Sequence, residues 1–218
     1  MTLQSPLAAT EPPHDCSLCP RLVGYREECR AEFPDWWNAP VPAFGDPDAR
    51  IALIGPAPGK HGANRTGRPF TGDEAGVLLY ATLAKFGLSD GDYAASPDDG
   101  LALRGVMILN AVKCLPPKNK PTPLEIRTCR AFLERNVTML PNARIFVALG
   151  DDAHKSAVKM LGGKLPKAPF AHFAEHRMPD GRILIDSYHC SRRNQDTGIL
   201  TAEMFEAVID RAMTLAGN

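Results

Sequence analysis

The chain has 218 residues with 25 basic and 25 acidic side chains, a formal net charge of zero, 44% hydrophobic residues and 23% charged ones. The length suits one sizeable α/β domain with a real core, and the charge balance excludes a protein that coats nucleic acid by bulk charge. No apolar run approaches the ~18 residues of a membrane span, and the first fifteen residues lack the basic start and apolar stretch of a secretory signal, so they read as a flexible tail and the cytoplasm as the default location.

After this tail, Cys16-Ser17-Leu18-Cys19 lies on a short turn before a helix expected over 22–30. Residues 50–55, RIALIG, read as a buried parallel strand that feeds a loop. That loop, GPAPGKHGANRTGRPFTGDEAG over 55–76, is rich in glycine, proline and basic residues. Its GPAPGK start resembles a triphosphate-binding loop, but that loop needs four residues between its glycines and a Ser or Thr after the lysine. Here there are three, and His61 follows, so a nucleotide-binding α/β enzyme is the weakest of three readings. From Asp73 onward Val77, Leu78, Leu79, Ala81, Leu83 and Phe86 recur at helical spacing until Gly87.

A second strand is expected at 106–109, followed by the loop PPKNKPTP and a helix capped by Thr122, with Pro123 in its first turn and Glu125 at the capping-box position. A third strand is expected at 144–149 before a helix over 151–161. A fourth spans 183–185, shortly before Ser187-Tyr188-His189, and a last amphipathic helix runs over 201–215. This alternation predicts a central, mainly parallel four-stranded sheet with helices on both faces, and ligands beyond the carboxyl ends of its strands. Three basic groups then converge on one rim: Lys60, Arg65 and Arg68; Lys113, Lys118 and Lys120; Arg192 and Arg193. Each alone reads as a solvated surface charge, but loops are where ligand contacts concentrate.

Of six cysteines, Cys16 and Cys19 have the spacing of two ligands to one metal centre. Cys114 and Cys129 are candidates to complete it, whereas Cys29 and Cys190 read as spare thiols. Structural zinc usually shows two close pairs, and four unevenly spaced thiolates suit a [4Fe–4S] cluster equally well or better. One C-x2-C beside unrelated buried thiols weighs about the same as any metal site on spacing alone.

Taken together, HGANRTGRPFTGD, NAVKCLPPKNKPTP and SYHCSRRNQDTG resemble the uracil-DNA glycosylase superfamily, and most of all its family 5, the broad-specificity iron–sulfur branch of bacteria and archaea. The first of these is highly specific; the HCSRRN segment alone is weak. The resemblance covers nearly the whole chain from Cys16, with 16–218 as one domain after a tail of 1–15. It implies a three-layer α/β/α fold and a [4Fe–4S] cluster on Cys16, Cys19, Cys114 and Cys129 that ties the amino-terminal helix and a long loop to the sheet. It implies a monofunctional DNA-repair glycosylase that removes uracil from double- or single-stranded DNA, with hypoxanthine and thymine opposite guanine as secondary substrates; a monomer is the default expectation, since the sequence shows no coiled-coil or evident interface segment.

The same resemblance implies roles for single residues. Gly55, Pro56, Ala57, Pro58 and Gly59 bring backbone close to the flipped nucleotide, Phe70 stacks on its base, and Asp73 is the catalytic carboxylate. His189 bonds the leaving base, Asn110 or Asn119 reads it, and His61 is a further candidate to approach it. Arg65, Arg68, Ser191 and Arg192 contact DNA, the two loop arginines by holding phosphates or by ordering the loop. Asp73 has the bland alternative of a helix N-cap, Phe70 that of a core side chain, and His189 that of a structural histidine. Two departures stand out: Cys190 replaces the proline of a common H-P-S, which restores an N–H and frees φ, and Ala75 replaces a common serine. The competing reading of another class is a non-catalytic iron–sulfur module that binds DNA and has no use for Asp73.

Overall fold

The computed structural model describes residues 9–217. Its centre is four parallel strands, β2 (Ile51–Gly55), β5 (Val106–Asn110), β6 (Ile145–Leu149) and β8 (Ile183–Ser187), which match the four expected from sequence. The sheet is nevertheless six-stranded. Short antiparallel edges, β1 (Phe44–Gly45) and β7 (Glu175–Arg177), flank it in the order β1-β5-β2-β6-β8-β7. Edges of two and three residues are too short to show a period in the sequence, which is why four strands were expected. A separate ribbon pairs β3 (Ser89–Asp90) with β4 (Ala102–Leu103).

Every residue of β2, β5 and β6 is buried, yet alternate side chains serve different layers. Ile51, Leu53, Val106, Ile108, Ile145 and Val147 join a core with Leu79 and Leu83 of α3 (Glu74–Lys85) and Phe205, Val208 and Ile209 of α7 (Ala202–Ala216). Ala52, Ile54, Met107, Leu109, Phe146 and Ala148 face the opposite way. They pack on Leu133 and Val137 of α4 (Pro123–Thr138) and Ala153, Ala157 and Val158 of α5 (Asp151–Met160). Burial on both faces makes the strands continuous apolar runs and gives three layers. The capping box at Thr122 forms as expected, with Glu125 Oε2 accepting from the Thr122 N–H at 2.7 Å. None of the described helices is long and apolar enough to cross a membrane.

Helix α1 (Pro20–Glu32) is held to the capping box by Arg21, which donates to both carboxylate oxygens of Glu125 at 2.8 and 2.6 Å. The expected tail splits in two. Residues 1–8 lie outside the described residues, whereas 9–15 pack onto the domain. The Glu11 carboxylate accepts from the Ala43 N–H at 2.7 Å and pairs with Lys113, whose side chain is only 1% exposed. Asn136 donates to both Thr10 and Glu11.

Candidate active site

The carboxyl ends of β2, β5 and β8 open onto a cleft of about 550 Å³. Its lining includes Pro56, Gly59 and His61 from the loop after β2, Phe70 and Asp73 before α3, Asn119 after β5, and His189, Ser191 and Arg192 after β8. The topology thus gathers residues separated by more than a hundred positions, as the strand-end rule requires.

The loop after β2 runs through α2 (Ala63–Thr66), a single turn, and is cross-tied at many points. Arg65 donates to the carbonyls of His61 (2.9 Å) and Gly72 (3.0 Å), and Thr66 Oγ1 donates to Thr71 O at 3.0 Å. Arg68 does not reach phosphate. Its side chain is 5% exposed and donates twice to Asp99, at 2.6 and 2.7 Å, below the rings of Phe44, Tyr80 and Tyr93. The Arg68 guanidinium holds the Asp99 carboxyl far below the usual carboxylate range. Arg68 is thus engaged in the packing of the loop through its pairing with Asp99. Lys113 is likewise removed from the basic rim by its buried pairing with Glu11, and Lys60 is tied to Glu32 at 3.0 Å.

These ties hold Phe70 in a left-handed conformation, φ +52°, which is costly for a bulky residue and persists only where the surroundings over-determine it. Tyr80 donates to Pro69 O at 2.7 Å and Tyr93 to Phe70 O at 3.3 Å. The Phe70 ring is both core and cleft wall: it is 8% exposed and packs with α3, yet lies 5.9 Å from the His189 ring at 30° between planes. Beneath it, a Cβ on Gly55 would meet Asn110 Oδ1 at 2.6 Å and the Phe70 ring at 2.8 Å. Gly55 thus contributes space rather than a contact in the lining. Asn110 is 3% exposed, and its Oδ1 has no hydrogen-bond partner among the described residues. An unpaired buried acceptor costs about 1–3 kcal/mol unless a ligand satisfies it. Asn119, by contrast, is exposed on the cleft wall with φ +55°.

Asp73 is the N-cap of α3 and accepts from the Gly76 N–H at 3.4 Å, so the bland role is real. The same carboxylate also faces the cleft. Burial pushes its pKa up, against the pull of the Gly76 and Ala75 amides. A Cβ on Gly62 would sit 2.1 Å from Asp73 Oδ2; only a glycine lets the loop close over the acid. His189 is pushed down to about 4 by burial, so it is neutral at physiological pH. Asn194 donates to its carbonyl at 2.8 Å, and Ser191 caps the short helix α6 (Arg192–Asp196). Cys190 is fully buried behind Asp73, and burial followed by that carboxylate's charge pushes its thiol up.

Ala57 and Pro58, expected beside the base, fall elsewhere. Ala57 packs toward Leu22 and Cys129, and Pro58 is buried; neither lines the cleft. Ala63, Gly72, Glu74 and Ala75 line it unforeseen, and Asp99 supports its wall from outside through Arg68. Gly and Ala carry no chemical signal, and the Arg68–Asp99 pairing spans 31 residues that no local pattern links.

Cys16, Cys19, Cys114 and Cys129 all line one small enclosed space with Leu22, Arg26, Lys113 and Phe132. Among the described residues the only trio of metal-capable groups within 4.8 Å of one another is His154, His176 and Asp186, which are already joined by hydrogen bonds of 2.7 and 2.9 Å. No three of the four thiols lie within 4.8 Å of one another. Burial pushes Cys114 up to about 12 and Cys129 up to about 11, so as free thiols they stay protonated. Arg26 is 6% exposed and its Nε has no hydrogen-bond partner among the described residues. An anionic multinuclear centre would fit this set of donors, cation and apolar wall.

The family model described as "Uracil DNA glycosylase superfamily" matches residues 42–212. A Type-5 uracil-DNA glycosylase of Thermus thermophilus is 49% identical over 93% of this chain and 94% of its own length. A Type-5 uracil-DNA glycosylase of Pyrobaculum aerophilum is 42% identical over 93% of this chain and 90% of its own. A Type-4 uracil-DNA glycosylase of the same organism is 32% identical over 70% of this chain.

Proposed function

The chain belongs to the uracil DNA glycosylase superfamily, and from that premise we propose that it is a monofunctional DNA-repair hydrolase that cuts the N-glycosidic bond of uracil and leaves an abasic site. One observation carries the reading: a carboxylate and a neutral imidazole, Asp73 and His189, share one cleft with the Phe70 ring.

The target nucleotide leaves the stack at a cost of a few kcal/mol. Phe70 offers its ring to the base. Asn110 supplies an acceptor for the base's N–H and an amide donor for its carbonyl, so its unpaired oxygen is satisfied on binding. When the bond between C1′ and the base breaks, the electron pair leaves with the base and C1′ becomes cationic. The Asp73 carboxylate stabilises that cation, orients the water whose oxygen adds to C1′, and accepts its proton. Neutral His189 donates a hydrogen bond to the oxyanion developing on the base. Ser191, Arg192 and Asn119 meet the DNA backbone at the mouth, with Lys118 and Lys120 beside them.

The four cysteines are assigned to a [4Fe–4S] cluster, supported by their shared apolar space and the cations Arg26 and Lys113 at its wall. When bound, the cluster supplies a staple between the α1 segment, the loop after β5 and α4; no step of base release runs through it. The substrates assigned are uracil in U·G and U·A pairs and in single strands, with hypoxanthine and thymine opposite guanine secondary, as the resemblance to family 5 implies.

Release of free uracil from a duplex bearing one U·G pair, followed by chromatography, tests the reading. Uracil and an alkali-labile site are expected. Tight DNA binding with no released base from cluster-loaded protein would instead make this a binding module.

A further inference from the structure

Beside the cleft lies a second depression, of about 630 Å³, where three segments meet: 35–37, 65–66 and 95–97. Both tryptophans of the chain line it. Trp36 stacks on Phe33, with centroids 3.9 Å apart and 10° between planes, and meets His61 edge-on at 5.5 Å. Trp37 is 40% exposed, although its indole N–H is anchored to Pro40 O at 3.1 Å. His61 is also a wall of the catalytic cleft, and Arg65, at the depression, grips the carbonyls of His61 and Gly72 that frame that cleft. His61 thus stands between the two concavities, walling the cleft and meeting Trp36 of the depression.

Rigid aromatic rings beside a nucleotide-binding cleft stack bases, whichever base they meet. The charge pattern selects the base rather than its phosphate. Asp35 lines the depression and repels an anion, while Arg65 stands where the depression borders the cleft. We propose that this depression receives the unpaired base next to the flipped nucleotide on the same strand, with Trp36 as its stacking platform. The inference rests on the glycosylase reading for the identity of the strand, and it assigns the enzyme a built-in grip on single-stranded and locally melted DNA.

The two tryptophans are their own reporters. The probe is a single-stranded deoxyoligonucleotide with one central 2′-fluoro-2′-deoxyuridine, whose fluorine disfavours the cationic sugar and blocks cleavage. Saturating wild-type protein should quench tryptophan emission. Replacing one of the two flanking nucleosides with an abasic spacer, which keeps the phosphates, should abolish the quench and weaken binding roughly 10-fold. Trp37→Phe, which leaves Trp36 as sole reporter, should keep the quench. Trp36→Ala should bind the intact and spacer probes with equal affinity. Unchanged emission at saturation, or a quench that survives spacers on both sides, would overturn the proposal. Uracil release from the unfluorinated strand is scored in parallel. Quenching without release retains the stacking site and removes the glycosylase reading; release without quenching does the reverse.

Discussion

Asp73 serves two ends that pull against each other. As N-cap it stabilises α3, and as a buried carboxylate it opposes folding once ionised, because burial raises its pKa above the unfolded value. The native state then binds more protons than the unfolded one, so this group's contribution falls as pH rises from the unfolded pKa through the folded one. Asn keeps the cap and removes the charge. Asp73→Asn should therefore melt at or above the wild-type temperature at pH 7, whereas Asp73→Ala should lose about 1 kcal/mol of cap; thermal melts at one pH compare them. His189 has the opposite shift. Pushed down to about 4, it stays neutral across the range where an ordinary imidazole of pKa ~6.5 titrates. The pH profile of single-turnover base release should therefore be free of an inflection near ~6.5, and an inflection there that vanishes in His189→Gln would contradict a neutral donor. At this scale the residue types were legible, since a carboxylate before a helix and a histidine after a strand announce themselves. The neutrality of His189 and the orphaned oxygen of Asn110 were not, because both arise from burial by distant segments.

The loop between β2 and α3 works as one element, and its rigidity comes from groups that the sequence shows only as scattered charges. Arg68 and Asp99 are buried together at 5% and 2% side-chain exposure. Removing one partner leaves the other charged and desolvated, so Asp99→Asn should cost about 3–5 kcal/mol. Denaturant titration measures it, and a loss below 1 kcal/mol would contradict a structural Arg68. With its pKa depressed, Asp99 adds stability above the unfolded carboxylate pKa, and that stability disappears as pH falls through the folded value. Gly62→Ala puts a Cβ against Asp73 Oδ2. It should lower base release by ~10²-fold while the fold persists, and an unchanged rate would show that the loop does not fix the acid. The long periodic elements were readable because packing on both sheet faces writes itself as apolar runs and helical stripes. The edges β1 and β7 were not, since two or three residues have no period.

Over the whole molecule, the amino-terminal segment is tied to the cysteine loop by Glu11–Lys113, and α1 to α4 by Arg21–Glu125, so that these parts form one unit. Pairings separated by 102 and 104 residues leave no trace in local pattern, so residues 9–15 read as tail and Lys113 as rim. Chelation of a cluster from this unit removes a cross-link between three segments. It should lower the melting temperature by about 5–10 °C, and identical melts with and without iron would contradict a structural cluster. The spacing of the cysteines was legible; their convergence needed the fold.

The central claim is that Asp73 drives base release inside a cleft shared with His189. The most direct measurement is single-turnover uracil release from a U·G duplex by cluster-loaded wild type and Asp73→Asn, with affinity for the 2′-fluoro duplex measured on both. The account predicts equal binding and a rate lowered at least ~10²-fold in the variant. Equal rates at equal binding would contradict it, and would move the catalytic work to His189 and the backbone amides of the loop.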